Sequence, residues 1–130
     1  VIGSADAPVT IIEYFSLTCP HCAGFHNDTY AGLKEKYVDT GKVRFIYRDF
    51  PLDGVGLRAA MMARCVDERR YPGVIQVLFK TQNNWALAAD PVAEIKKLVN
   101  LRDSVTTRFS PVCNPRLSPM ASLQNARQKI

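Results

Sequence analysis

The first half of the chain holds two apolar runs that predict strands. Residues 9–16 form a continuous run rich in β-branched and aromatic side chains, interrupted by Glu13. A run of this kind predicts a strand buried on both faces. Residues 43–49 predict a second strand, which Phe50 and Pro51 end.

The residues between these runs predict one helix, from Pro20 to about Asp39, with Gly41 ending it. Its apolar positions recur at helical spacing and are Ala23, Tyr30, Leu33 and Tyr37. A strand, a helix and a returning strand make a βαβ unit, whose strands are parallel and whose crossover is right-handed. The turn before the helix then lies at the carboxyl end of a strand, where α/β sheets bind their ligands.

From Leu52 onward the pattern is helical. Residues 57–66 predict a strong helix, and Tyr71-Pro72-Gly73 predicts a break in the chain. The apolar residues after this break predict another helix, which reaches towards Trp85.

Asp90 is placed to cap a further helix, with Pro91 at its first position. Its apolar positions are Val92, Ile95, Leu98 and Val99. Residues 110–115 predict an irregular or short helical stretch. Ser118-Pro119 then predicts the start of a last helix, with its apolar side chains at Leu123, Ala126 and Ile130.

The chain therefore has two parts, within a length of 130 residues that suits one domain and at most a small insertion. Residues 1–51 predict a strand, a helix and a strand. Residues 52–130 predict a helical part. The fold class is α/β.

The candidate chemistry lies in Cys19-Pro20-His21-Cys22, between the first strand and the helix. Two cysteines at this spacing on a first helical turn can close a disulfide or separate as a dithiol. Pro20 suits a first turn, because no N–H is needed there. The free N–H groups and positive dipole end favour a thiolate on Cys19, the attacking sulfur. His21 can add positive charge or a hydrogen bond, and Cys22 is the resolving cysteine.

A structural disulfide or half of a zinc site would also use this motif. Zinc generally takes four ligands, commonly from two close pairs. Cys65 and Cys113 are far apart in sequence and form no second pair. The strand-then-helix setting is the one that redox chemistry requires, so we assign no metal ligand and no cofactor.

Glu13 and His26 are further candidates near the cysteines. The apolar run around Glu13 favours burial over a position at a wet sheet edge. Burial raises the pKa of a carboxyl, and an acid near Cys22 could take and return its proton. His26 follows Cys22 by four residues. It is either a second titrating group or, as we favour, a hydrogen-bonded, partly buried histidine.

Composition and charge exclude some function classes. Hydrophobic content of 47% and charged content of 22% are ordinary for a soluble globular protein. The net charge of +5 is scattered, with short pairs only at Arg69-Arg70 and Lys96-Lys97, so nucleic acid is not an expected partner. No apolar run would span a membrane. Residues 1–4 do not resemble a signal peptide, and the missing initiator methionine leaves export permitted.

These features together resemble the start of a DsbA-like thiol:disulfide oxidoreductase. The resemblance rests on the run Ala7-Pro8-Val9-Thr10-Ile11-Ile12-Glu13-Tyr14-Phe15-Ser16 followed by Cys19-Pro20-His21-Cys22, and it continues more loosely to the C-terminus. It implies a thioredoxin-like fold with an inserted helical domain, and Pro-His is typical of that oxidase family. It places Glu13 where such enzymes carry a buried acid beneath the active site. They often carry an acid at the position of His26, so His26 is a departure.

Cys65 and Cys113 could form a second disulfide if the chain is exported, as in several members of the resembled group. Closing that loop would stabilise the protein by roughly 3–4 kcal/mol in the chain-entropy model. Two buried free thiols are the alternative.

The resemblance also implies two more strands, a closing helix and a substrate-binding cis-proline beyond Ile130. None of the eight prolines has the required setting, so we expect a fragment or a truncated product. Two strands are few for a stable sheet, and an open edge invites pairing. Alone, such a piece is expected to be destabilised or to associate.

The resulting prediction is a periplasmic or otherwise exported oxidoreductase that introduces disulfides into reduced polypeptides. The resemblance implies reoxidation by a membrane quinone-coupled partner. The alternatives are a reductase or isomerase of the same fold, and a module that binds metal or unfolded chains without turnover.

Overall fold

The computed structural model describes residues 1–101. The strands are β1 (Val9–Phe15) and β2 (Val43–Asp49), and the helices are α1 (Pro20–Gly24), α2 (Tyr30–Leu33), α3 (Gly54–Ala63), α4 (Tyr71–Lys80), α5 (Gln82–Ala86) and α6 (Pro91–Leu101). Two π-helical turns, Phe25–Thr29 and Lys34–Val38, continue α1 and α2. The predicted features of residues 102–130, including Cys113 and the last helix, lie outside the described residues.

β1 and β2 pair in parallel, in register from Val9 opposite Val43 to Phe15 opposite Asp49. The predicted parallel βαβ unit is therefore confirmed.

The prediction that β1 is buried on both faces was wrong. Ile12 is 46% exposed and Tyr14 is 66% exposed, whereas Phe15 is buried. Within residues 1–101, β1 has only β2 as a strand neighbour. The core therefore forms on the face that carries Phe15.

The helical segment over residues 20–38 ends before Gly41, whose φ of 76° suits glycine at this turn, as predicted. Its buried face differs from the prediction at one position, because Tyr37 is exposed and Val38 is buried. The turn Lys34–Val38 is π-helical, and its i→i+5 bonding adds a residue to the turn. That extra residue moves the core position from Tyr37 to Val38.

The helices after β2 begin with recognisable caps. α3 starts at Gly54, earlier than predicted, where the carboxylate of Asp53 accepts a hydrogen bond from the N–H of Gly56 (2.6 Å). The predicted cap of α6 is confirmed, since Asp90 accepts from the N–H of Ala93 (3.1 Å).

The predicted break at Tyr71-Pro72-Gly73 was wrong. These residues open α4, with the proline in the first turn. Proline lacks an N–H that the first turn does not need, so it begins a helix as readily as it stops one.

One hydrophobic core joins both predicted parts of the chain. Phe15 and Phe45 from the sheet share it with Phe79, Trp85 and Ile95 from the helices. The ring centroids of Phe15 and Phe79 lie 5.7 Å apart in an edge contact. The division at residue 52 stays a prediction. Among residues 1–101, no helix has the length and apolar character needed to cross a membrane.

Candidate active site

The turn between β1 and α1 holds two free cysteines, both half-buried. Cys19 is the N-cap residue of α1, in an extended conformation (φ −80°, ψ 120°), with Pro20 in the first turn. The N–H of Cys19 donates to the carbonyl of Ser16 (3.0 Å), and its own carbonyl accepts from the N–H of Ala23 (3.1 Å). The sulfur of Cys19 therefore sits beside the unpaired N–H groups of the helix start.

The local hydrogen bonds lower the pKa of Cys19. The largest effect comes from the backbone N–H of Cys22, which donates to the sulfur of Cys19, and burial opposes it. The thiol of Cys22 and the backbone N–H of His21 lower the pKa further. His21 is exposed. Its backbone thus stabilises a thiolate on Cys19, and the role predicted for its imidazole stays a prediction.

The pKa of Cys22 is shifted in the opposite direction. Burial of the sulfur raises the pKa of Cys22 most, whereas a hydrogen bond from the backbone N–H of Ser16 lowers it. Its hydrogen bond to Cys19 and the negative charges of Cys19 and Glu13 raise the pKa further. The two sulfurs are therefore unequal: Cys19 favours the thiolate and Cys22 the thiol.

This inequality predicts two separate pH profiles for alkylation of the reduced protein. Only the thiolate reacts with iodoacetamide, so each rate rises with pH through that thiol's pKa. A free cysteine titrates at a pH of about 8.5. We expect the rate for Cys19 to rise below this pH and the rate for Cys22 to rise above it. Peptide fragmentation by mass spectrometry assigns the label to each cysteine.

The matched control for this measurement is the same protein in urea, where both cysteines are expected to react in one pH range. Coincident profiles for the two cysteines in the folded protein would contradict the assignment of Cys19 as the activated sulfur.

Glu13 and His26 form a pair next to the resolving cysteine. Nε2 of His26 lies 2.9 Å and 3.1 Å from the two carboxylate oxygens of Glu13. The side chain of His26 is 1% exposed and that of Glu13 is 13% exposed. The imidazole also stacks on Phe79, at a centroid distance of 4.5 Å. The carboxylate of Glu13 is therefore the partner of Nε2, while the buried Nδ1 has no hydrogen-bond partner among residues 1–101.

Side-chain hydroxyls in the turn before Cys19 form a hydrogen-bond network. The hydroxyls of Ser16 and Thr18 lie 3.0 Å apart, and Thr18 donates to the carboxylate of Asp53 (2.8 Å). A Cβ at Gly56 would lie 2.9 Å from the oxygen of Thr18, so a larger residue there would displace this hydroxyl. The cap of α3 and the turn before Cys19 are thus one connected unit.

Gln82 is a site residue that the sequence did not reveal. Its side-chain amide is buried and donates to the carbonyls of Leu17 (2.8 Å) and Cys19 (3.0 Å). These partners lie 65 and 63 positions earlier in the chain, so no local pattern marks the residue. Gln82 ties α5 to the backbone on both sides of Thr18 and holds the turn in place.

The predicted disulfide between Cys65 and Cys113 stays a prediction. Cys65 takes part in a disulfide, but Cys113 lies outside the described residues. Within the part of the chain that the structure describes, no group of three or more His, Cys, Asp or Glu side chains is placed to hold a metal ion.

Comparison with known proteins places the chain in a family. The thioredoxin family model matches residues 1–123. The crystal structure of alpha-DsbA1 from Wolbachia pipientis is 32% identical, with a TM-score of 0.77, over 99% of this chain and 68% of that one. The likeness extends to the fold, which is thioredoxin-like.

Curated relatives match over shorter stretches. A putative protein-disulfide oxidoreductase of Rickettsia bellii is 36% identical over 89 residues, which are 68% of this chain and 34% of the relative. Disulfide bond formation protein D of Bacillus subtilis is 35% identical over 63 residues, which are 48% of this chain and 28% of that protein. The matched stretches thus span about a third of these relatives' length. The chain belongs to the thioredoxin family and, within it, to the DsbA-like proteins.

Proposed function

We propose that the protein is a thiol:disulfide oxidoreductase that introduces disulfide bonds into exported polypeptides through Cys19 and Cys22. The observation that carries this proposal is the opposite pKa shifts of the two sulfurs, lowered at Cys19 and raised at Cys22. The names of the relatives, a putative protein-disulfide oxidoreductase and a disulfide bond formation protein, support it.

The first step forms a mixed disulfide. A thiolate of the reduced polypeptide attacks the sulfur of Cys19 in the Cys19–Cys22 disulfide. A bond forms between these two sulfurs, the Cys19–Cys22 bond breaks, and Cys22 leaves with the electron pair. The raised pKa of Cys22 favours its protonation, and we propose that the carboxyl of Glu13, which pairs with His26 and helps to raise that pKa, supplies and takes back the proton.

The second step releases the product. A second thiolate of the polypeptide attacks the polypeptide sulfur that is bonded to Cys19, and Cys19 leaves as a thiolate. The polypeptide loses two electrons and gains a disulfide, while the protein gains two electrons and becomes a dithiol. The N–H groups of His21 and Cys22 stabilise this leaving thiolate, so the same contacts that lower its pKa make Cys19 a good leaving group.

Stabilisation of the reduced form sets the direction of electron flow. A protein whose dithiol form is stabilised is the stronger oxidant. The thiolate of Cys19 gains this stabilisation from the helix start, which favours oxidation of substrates over their reduction.

The experiment that tests this direction is equilibration of the full chain with glutathione buffers. We expect a potential nearer to about −120 mV, as in strong oxidants, than to about −270 mV, as in thioredoxin. The redox state is read by mass spectrometry on the peptide that contains Cys19 and Cys22. The variant Cys22→Ala controls for reaction of a single thiol with glutathione. A potential close to the thioredoxin value would contradict the oxidase role and favour a reductase.

The proposed partners follow from the same chemistry. Substrates are exported polypeptides that are reduced and either unfolded or partly folded. Continued turnover needs an oxidant for the dithiol, which we propose is a membrane quinone-coupled protein.

A further inference from the structure

A polar groove of about 340 Å³ runs along the active-site helix. One side is formed by positions 20, 23, 24 and 27, and the other by residues 79–84. The first set lies on one face of the helical segment. The groove exists because Ala23 and Gly24 carry no long side chain, and a Cβ at Gly24 would meet no atom within 4 Å.

The groove begins at Pro20, the residue that follows Cys19, and Gln82 in its lining donates to the carbonyl of Cys19 (3.0 Å). From Pro20 to Asn27 the helix rises by about 10 Å. An extended peptide advances by about 3.3 Å per residue, so this length accommodates about three residues of an extended chain. A polypeptide joined to Cys19 therefore has the groove beside it.

Four of the lining residues carry side-chain amides, namely Asn27, Gln82, Asn83 and Asn84. A side-chain amide carries the same donor and acceptor groups as a peptide bond. Lys80 is the charged residue among the lining side chains. Such a lining suits the backbone of a polypeptide more than any particular side chain.

Gln82 gives this groove an oriented acceptor next to Cys19. The residue is 7% exposed, and its Nε2 is held by the carbonyls of Leu17 and Cys19. These two bonds fix the plane of the amide. Its Oε1 accepts no hydrogen bond from residues 1–101 and is left for an N–H of a bound chain.

We propose that this groove binds the extended backbone of the polypeptide whose cysteine reacts with Cys19. The proposal rests on the proposed function, because it needs a substrate chain at that sulfur. It adds a binding surface whose contacts are amide groups, which would accept many sequences. Substrates without a peptide backbone gain nothing from it.

The test compares two thiols reacting with the oxidised full chain. One is a nine-residue peptide with neutral side chains and one central cysteine, and the other is 2-mercaptoethanol. Rates of mixed-disulfide formation are followed by acid quench and mass spectrometry. The quantity of interest is the peptide rate divided by the 2-mercaptoethanol rate. A change in the reactivity of the disulfide alters both rates by the same factor and cancels in this ratio.

Gly24→Leu is expected to lower this ratio by about tenfold, because its side chain fills the groove. Asn84→Ala, which removes one exposed amide, is expected to lower it by about threefold. The control is Gln76→Leu, an exposed position on α4 outside the groove, for which the ratio should not change.

An unchanged ratio in both Gly24→Leu and Asn84→Ala, with an active wild-type chain, would overturn the groove proposal alone. Equal losses with both thiols would also overturn it, because the substitution would then act on the dithiol. Failure of the wild-type chain to react with either thiol would contradict the proposed function and remove the groove proposal with it.

Discussion

Replacement of Cys19 by alanine is expected to lower the rate of polypeptide oxidation by about a thousandfold or more. Without this sulfur no mixed disulfide can form at the helix start, and Cys22 cannot substitute for it. Burial raises the pKa of Cys22, so Cys22 holds little thiolate at neutral pH. The measurement is the rate at which a reduced two-cysteine peptide is converted to its disulfide, in a glutathione buffer that reoxidises the protein.

Cys22→Ala is the matched variant, because it removes the other sulfur and keeps the activated one. Its turnover should also be lost, since no internal disulfide can form. With a peptide that has one cysteine, in the same glutathione buffer, it should nevertheless accumulate a mixed disulfide between Cys19 and the peptide, visible as the summed mass, because no second thiolate is present to release Cys19. Cys19→Ala should show no such adduct. An adduct of equal yield on Cys22 in Cys19→Ala would contradict the assigned order of attack.

Replacement of Trp85 by alanine is expected to lower the free energy of unfolding by about 3–5 kcal/mol. The indole is fully buried, and its Nε1–H donates to the carbonyl of Leu78 (2.8 Å). The substitution leaves a large cavity and an unpaired carbonyl. Trp85 lies on α5, the helix that begins at Gln82, so we also expect looser packing behind the active-site turn.

Trp85→Phe is the control that separates packing from hydrogen bonding. It keeps an aromatic ring but removes the donor, so the expected loss is smaller than for alanine. Urea unfolding is followed by far-ultraviolet circular dichroism, since Trp85 is the single tryptophan in the sequence and the variants lack its fluorescence. A loss below about 0.5 kcal/mol in Trp85→Ala, within the scatter of surface substitutions, would show that α5 does not belong to the same cooperative core as the sheet.

The pair formed by Glu13 and His26 shows how a departure from the family pattern is accommodated. A buried imidazole needs a hydrogen-bonding partner, and the carboxylate of Glu13 provides one at 2.9 Å. The same carboxylate helps to raise the pKa of Cys22. His26 thus contacts the acid proposed to exchange a proton with the resolving cysteine.

Several features of this protein could be predicted from the sequence because their causes are local. The β-branched and aromatic residues of β2 predicted the strand over residues 43–49. Asp90 followed by Pro91 predicted the start of α6, since a short acidic side chain satisfies free N–H groups and proline suits a first turn. The Cys-Pro-His-Cys motif directly after a strand predicted that Cys19 begins a helix, for the same local reason.

Other features were decided only by the tertiary structure. The exposure of Ile12 and Tyr14 depends on which elements cover β1. The residue pattern of β1 does not specify those elements. The π-helical turn moved a core position from Tyr37 to Val38, because small shifts in helical bonding follow from packing. The two hydrogen bonds of Gln82 join residues more than sixty positions apart. Burial and long-range hydrogen bonding depend on which segments meet in space, so periodicity predicts the elements and the packed chain determines their partners.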